Sequence, residues 1–169
     1  KQLRRLNFIV IAVALFAVVA PAQQGTADND YQTAATLYVQ KAAEYRAVAY
    51  QAFNLARWHL DADLDKKNVK KLPKAERKRP RAIIVDIDET VLDNSPAQAA
   101  GIKTGTPFNS KDWATWVEMQ KAKAIPGAVE FLNYAVGRGV KVFYLSNRDE
   151  AQKQATIDNL KLLGFLDIS

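Results

Sequence analysis

Two short apolar runs punctuate the chain, AIIV at residues 82–85 and VFYL at residues 142–145, and each ends abruptly in polar residues. β-Branched and aromatic runs of this length predict two buried parallel strands. Around them the apolar positions follow helical spacing. From residue 31 to about 62, Tyr38, Ala42, Tyr45, Ala49, Ala52 and Ala56 recur every three or four residues, with no Gly or Pro. One long helix is the expectation. SKDWATWVEMQKAKA predicts another helix with Ser110 as its N-cap. IPGAVEFLNYAVGRG predicts a third, opening near Pro126 and closing at Gly137 or Gly139. DEAQKQATIDNLKLLGF predicts a fourth that ends at Gly164, and residues 165–169 read as the start of a further strand.

Strand, insertion, helix, strand, helix is the order of an α/β domain with a parallel sheet. Neither an internal repeat nor a low-complexity tract interrupts it. A parallel sheet of two or three strands is unusually small, so the domain reads as incomplete at its C-terminal side. The division expected is a signal segment at 1–22, an N-terminal helix and basic linker at 23–80, and an α/β domain from 81 to 169.

The first residues carry a different pattern. Lys1, Arg4 and Arg5 precede the apolar run FIVIAVALFAVVA, and Ala20-Pro21-Ala22 then offers small residues for cleavage before the polar QQGTADND. This predicts a cleavable export signal and a periplasmic or secreted product. The run is shorter than the roughly 20 residues of a spanning helix.

Composition narrows the chemistry. The 49% apolar and 25% charged content is that of a globular chain. Without cysteine there is no disulfide framework, thiolate metal site or cysteine nucleophile, and His59 as the single histidine argues against His-rich metal sites and a Ser-His-Asp triad. Removal of Lys1, Arg4 and Arg5 with the signal lowers the net charge of +6 by three, a weak case for binding nucleic-acid polymers. The remaining excess lies in DKKNVKKLPKAERKRPR, residues 65–81, which Pro73 and Pro80 mark as a solvated linker. A basic collar that steers phosphate-bearing substrates is the secondary reading.

The candidate site follows from strand ends. Ligands of open parallel sheets bind beyond the carboxyl ends of the strands. Asp86 and Asp88 stand at one such end, two apart and so on one side of an extended segment. Ser146 and Asn147 stand at the other. Buried unpaired carboxylates are costly, whereas at an open rim a hard cation such as Mg²⁺ suits them. One carboxylate then attacks phosphorus while the other passes a proton to the leaving oxygen. A serine beside them holds a phosphoryl oxygen. The alternative reading makes Asp86 a strand-end cap and Ser146 a helix N-cap.

Asp86-Ile87-Asp88-Glu89-Thr90 resembles the D-x-D-x-T motif of the haloacid dehalogenase (HAD) superfamily, and VFYLSNR resembles its second motif. DIDETVLDNSP, KDWATWV, IPGAVEFLNYA, VFYLSNRDE and the upstream EYRAVAYQAFNLA together are similar to class C acid phosphatases, nonspecific acid phosphatases and 5′-nucleotidases related to outer-membrane lipoprotein phosphatases. The resemblance implies a HAD-like sheet with a helical cap at about 93–125. It implies Asp86 as nucleophile and Mg²⁺ ligand, and Asp88 as general acid and base with its main-chain carbonyl on the metal. It further implies Thr90 as support for Asp88, Ser146 as phosphoryl ligand with Asn147 and Arg148 as lesser members of that pocket, and Trp113 as a base-stacking residue. Trp116 is then a packing partner. The implied substrates are small phosphate esters such as nucleoside monophosphates, with homodimerisation left open.

Two features depart from that family. No cysteine is present for a lipid anchor at the signal. The third-motif lysine and the fourth-motif aspartate pair have no clear match, since Lys153 and Lys161 fall early and Asp167 is not an acidic pair. Impaired activity of these 169 residues on their own is the corresponding expectation. Two other readings compete: a non-catalytic envelope protein binding a ligand on a HAD scaffold, and another HAD phosphotransferase.

Overall fold

The computed structural model describes residues 30–168. The signal segment expected at 1–22 lies outside the described residues. Among those described, no helix is long and apolar enough to cross a membrane.

A single 3₁₀ turn, Asp30–Gln32, leads into α1 (Thr33–Lys41) and α2 (Ala43–Leu64). The long helix expected here is thus two helices. Ala42 adopts an extended conformation, φ −72° and ψ 130°, and bends the chain without the Gly or Pro that would have announced it. The break lets α1 pack on the cap while α2 packs on the body. The basic segment is also more ordered than a linker. Asp65 caps α3 (Lys66–Lys71), its Oδ1 accepting from the Lys67 and Asn68 amides at 2.7 and 3.4 Å. Arg81 then ties the chain back to α2 through Asp63, at 2.7 Å.

The sheet consists of β1 (Ala82–Asp86) and β4 (Lys141–Leu145), parallel and in register from Ala82↔Lys141 to Asp86↔Leu145. The two predicted strands therefore lie side by side and end together. They are not buried on both faces. Ile83, Val85, Val142 and Tyr144 face the helices, while Ile84, Phe143 and Leu145 are 73%, 53% and 65% exposed. A continuous apolar run signals two covered faces, and only one face is covered by the described residues. Residues 165–168 form no strand; Phe165 instead inserts into the core.

The insertion is a small cap. β2 (Leu92–Asp93) pairs antiparallel with β3 (Lys123–Ala124), and this two-stranded stem carries α4 (Ser95–Thr104) and α5 (Ser110–Glu118). Asn109, not Ser110, is the N-cap of α5, its Oδ1 accepting from the Asp112 amide at 2.8 Å. The helix stops well before Ala124 because Gln120 turns at φ 54° to enter β3. After the stem, α6 (Ala128–Gly137) runs back beneath β4, and α7 (Lys153–Leu162) follows a 3₁₀ turn at Glu150–Gln152.

The core joins the turn after β1 (Ile87, Val91, Leu92) to Phe131 and Leu132 of α6, Leu160 of α7 and Phe165. Phe53 of α2 packs on Phe131 in a tilted arrangement, ring centroids 5.9 Å apart and planes 38° to each other. Gly127 lets α2 come this close: a Cβ there would lie 3.2 Å from Phe53 and Tyr50, and its φ of +90° disfavours any L side chain.

Candidate active site

Because β1 and β4 end in register, their C-terminal residues share one mouth. A cavity of about 590 Å³ is lined by Asp86, Asp88, Leu145, Ser146 and Asn147. Both carboxylates and the serine thus meet there, as the two-residue spacing predicts. The turn that follows is what closes the site. The Ile87 carbonyl accepts from the Val91 and Leu92 amides, each at 2.9 Å, and Glu89 takes a left-handed conformation with φ 56°. A non-glycine residue in that region is unfavourable and tends to occur where the surrounding structure needs it. Here it swings Thr90 back onto β1. Thr90 Oγ1 donates to Asp86 Oδ2 at 2.9 Å, so Thr90 supports Asp86 rather than Asp88.

Asp88 is held by other residues. Its Oδ1 accepts from Asn94 Nδ2 at 2.9 Å and from Arg148 Nη2 at 2.6 Å, and its Oδ2 accepts from Ser146 Oγ at 3.2 Å. Arg148 Nε lies 3.1 and 3.2 Å from the two carboxylate oxygens, completing a two-pronged pair. The Arg148 side chain is 5% exposed and that of Asp88 16%. Ser146 is no helix cap, since α7 begins at Lys153. Its hydroxyl joins Asp88 to the Arg148 amide, which donates to it at 3.1 Å. Asn147 borders both this cavity and a larger one beside it.

The larger cavity, about 850 Å³, lies between the sheet end and the cap. Trp113, Trp116 and Phe108 line it from the cap, Asp88, Glu89 and Asn94 from the turn, and Arg148 and Gln152 from beyond β4. Phe108 is 80% exposed and lies 6.3 Å from Trp113 between ring centroids. Trp116 does more than pack: its Nε1 donates to Asn94 Oδ1 at 2.9 Å. Asn94 therefore relays a cap contact to Asp88. Sequence reasoning passed over Asn94, which stands at the N-cap position of α4, where Asn is ordinary. Its side chain makes no capping bond there; the Ser95 amide donates to Asp93 Oδ1 instead.

Glu89 at the cavity rim has its carboxyl pushed up from the usual range, mainly by burial and secondarily by Asp88 and Asp93, with hydrogen bonds from Asn94 opposing the rise. Burial, with Asp93 and Glu89, likewise raises the Tyr45 phenol of α2.

The donor chemistry fits a hard cation. No three His, Cys, Asp or Glu side chains converge as a metal cage among the described residues. Mg²⁺, however, is commonly held by one or two carboxylates while it keeps several waters. Asp86 is exposed, and Thr90 takes up only one of its oxygens. The side-chain oxygens of Asp88 are already engaged, which is compatible with the main-chain carbonyl contact that the family resemblance implies. The basic segment at 66–81, in contrast, precedes the start of β1 and so lies at the end of the sheet opposite the carboxylates. It does not form a collar around the mouth.

Comparison with known proteins agrees with this geometry. The family described as HAD superfamily, subfamily IIIB (Acid phosphatase) matches residues 10–169. Acid phosphatase 1 of Solanum lycopersicum is 32% identical over 84 residues, which cover 50% of this chain and 33% of that protein. The class C acid phosphatase from Bacillus anthracis with tungstate bound superposes with a TM-score of 0.74 at 40% identity, over 83% of this chain and 55% of that one. A second structure of the Bacillus anthracis enzyme gives 0.74 at 39%, covering 83% and 56%. The chain thus spans about half the length of these solved relatives and a third of the plant protein.

Proposed function

The chain belongs to the subfamily IIIB acid phosphatases of the HAD superfamily, and from that premise we propose that it hydrolyses small phosphate monoesters through an aspartyl-phosphate on Asp86. The carrying observation is the meeting of Asp86, Asp88 and Ser146 around one open cavity. Asp86, exposed and oriented by Thr90, is the side chain free to attack phosphorus. Asp88 is positioned to give a proton to the leaving oxygen and later to take one from the water that frees the phosphate. Ser146, whose hydroxyl lies between Asp88 and the Arg148 amide, borders the position of the phosphoryl oxygens. Tungstate, named with the Bacillus anthracis relative, is a tetrahedral oxyanion like phosphate and supports an anion site of this kind.

Mg²⁺ is the proposed cation, carried by Asp86 and the Asp88 carbonyl; when bound it neutralises phosphoryl charge and lets a carboxylate approach an anion. The larger cavity favours an ester with a flat leaving group, because the Trp113 and Phe108 rings at its wall offer stacking surface. Nucleoside monophosphates fit that description. Export, read from the apolar N-terminal run, is proposed alongside.

The test is p-nitrophenyl phosphate hydrolysis by the full-length protein. Chelation is expected to abolish turnover and added Mg²⁺ to restore it. Asp86→Asn is expected to lower kcat by at least about 10³-fold, since removal of a nucleophile leaves only binding and electrostatic terms. Turnover by Asp86→Asn at the parent rate would remove the proposal.

A further inference from the structure

We infer that Arg148 is a positioning residue which fixes the Asp88 carboxylate for proton delivery and links it to the substrate-facing wall of the cap. The inference rests on Asp88 as the general acid. Arg148 is nearly buried, and each of its guanidinium nitrogens has a partner. Nε and Nη2 grip Asp88, and Nη1 donates to Thr156 Oγ1 at 2.9 Å. Thr156 in turn donates to the Gln152 carbonyl at 2.8 Å, anchoring the assembly to the start of α7. The Arg148 Cζ lies 5.3 Å from the centre of the Trp113 ring, within cation–π range.

A carboxylate turns easily about its last torsion, which has only broad preferences. Proton transfer needs a defined approach of the acid to the leaving oxygen. A planar guanidinium pairing side-on with the carboxylate sets its plane, which a lysine ammonium cannot do. Trp113 belongs to the cap and lines the cavity proposed for the leaving group. Arg148 is therefore a rigid bridge between the wall that feels the leaving group and the acid that protonates it. Asn94 makes a parallel connection from Trp116, so both cap tryptophans reach the same carboxylate. The competing role for Arg148 is direct grip on the phosphoryl group. Against it, the guanidinium is already engaged, and Arg148 lines the larger cavity but not the one that holds Asp86.

The two roles separate by leaving group. An alkyl phosphate needs its leaving oxygen protonated, whereas p-nitrophenolate departs without much help. The measurement is kcat/KM of the full-length protein for both esters, with inhibition by inorganic phosphate recorded alongside. Arg148→Lys is expected to lose about tenfold or more beyond its p-nitrophenyl phosphate loss when assayed on the alkyl ester, a part of what a positioned acid contributes. Phosphate inhibition is expected to stay unchanged. Thr156→Val, near-isosteric and away from the substrate, is expected to shift the ratio in the same direction by less, and decides the matter if Arg148→Lys does not fold. Equal losses on both esters with weakened phosphate inhibition would make Arg148 a phosphoryl ligand and overturn the inference. No loss on either ester would overturn it as well. Asp88→Asn distinguishes the underlying assignment: a uniform loss there refutes Asp88 as acid and the inference with it, while a leaving-group-dependent loss confined to Asp88→Asn refutes the inference alone.

Discussion

Asn94 is the residue whose substitution most sharply examines the packing of this site. It is 1% exposed, donates to Asp88 through Nδ2 and accepts from Trp116 through Oδ1, both at 2.9 Å. An amide can do both and a carboxylate can only accept. Asn94→Asp therefore keeps the Trp116 bond but turns the Asp88 contact into two acceptors face to face. Two like charges about 3 Å apart repel by roughly 5 kcal/mol at an effective dielectric of 20. Arg148, already beside Asp88, screens part of this, so a loss of about 2–4 kcal/mol is expected. Asn94→Leu has the nearest apolar shape. It leaves the Trp116 N–H without a partner and removes one of the donors to Asp88 Oδ1, which keeps Arg148, a cost of about 1–3 kcal/mol. Urea unfolding at neutral pH should rank the proteins parent, Leu, Asp. The exchange Asp88→Asn with Asn94→Asp restores a donor opposite an acceptor, and should recover at least about 1 kcal/mol relative to additivity. Parent-like stability of Asn94→Asp, or strict additivity in the exchange, would refute the described hydrogen-bond relay.

Two further outcomes follow from the fold. Gly127→Ala is expected to lower stability by about 1–3 kcal/mol in thermal unfolding, because the new methyl meets Phe53 and Tyr50 at 3.2 Å in a left-handed backbone; an unchanged Tm would contradict the close approach of α2. Tyr144 carries a buried hydroxyl without a partner, and burial, with Asp167 second, pushes its phenol up to about 12 from 10.0. The neutral phenol is favoured in the folded state, so its contribution is complete below pH 10 and is lost as pH rises toward about 12. Tyr144→Phe should be neutral or stabilising near pH 7, and should lessen the alkaline loss by about 1 kcal/mol once the half-exposed position of the ring is allowed for. Superimposable stability–pH curves for parent and variant would refute it.

The sheet and its mouth were legible because strand chemistry is local. AIIV and VFYL are β-branched or aromatic and end in polar residues, and a helix of crossover length between them makes their alignment parallel. The pairing of Asp86 with Asp88 was legible for the same reason, as a two-residue period. Features decided by tertiary contact were not. Ala42 has no breaker character, and the bend between α1 and α2 answers to the separate surfaces those helices cover. Ile84, Phe143 and Leu145 look buried by composition, yet burial depends on what lies across the sheet. Thr90 was assigned to the wrong aspartate because the left-handed turn at Glu89 leaves no trace in the sequence. Arg148 lies 60 residues from the carboxylate it binds, and Asn94 reaches it back across the turn at Glu89 rather than along a helix or strand.

The most direct measurement of the account is the chemical fate of Asp86 during turnover. Full-length protein mixed with substrate and Mg²⁺, quenched in acid within one turnover and treated with borohydride, converts an aspartyl-phosphate to homoserine that peptide mass spectrometry locates. The account predicts homoserine at position 86 and none at 88, dependent on substrate. Substrate-dependent modification at another residue, or steady phosphate release with position 86 always found as aspartate, would contradict it.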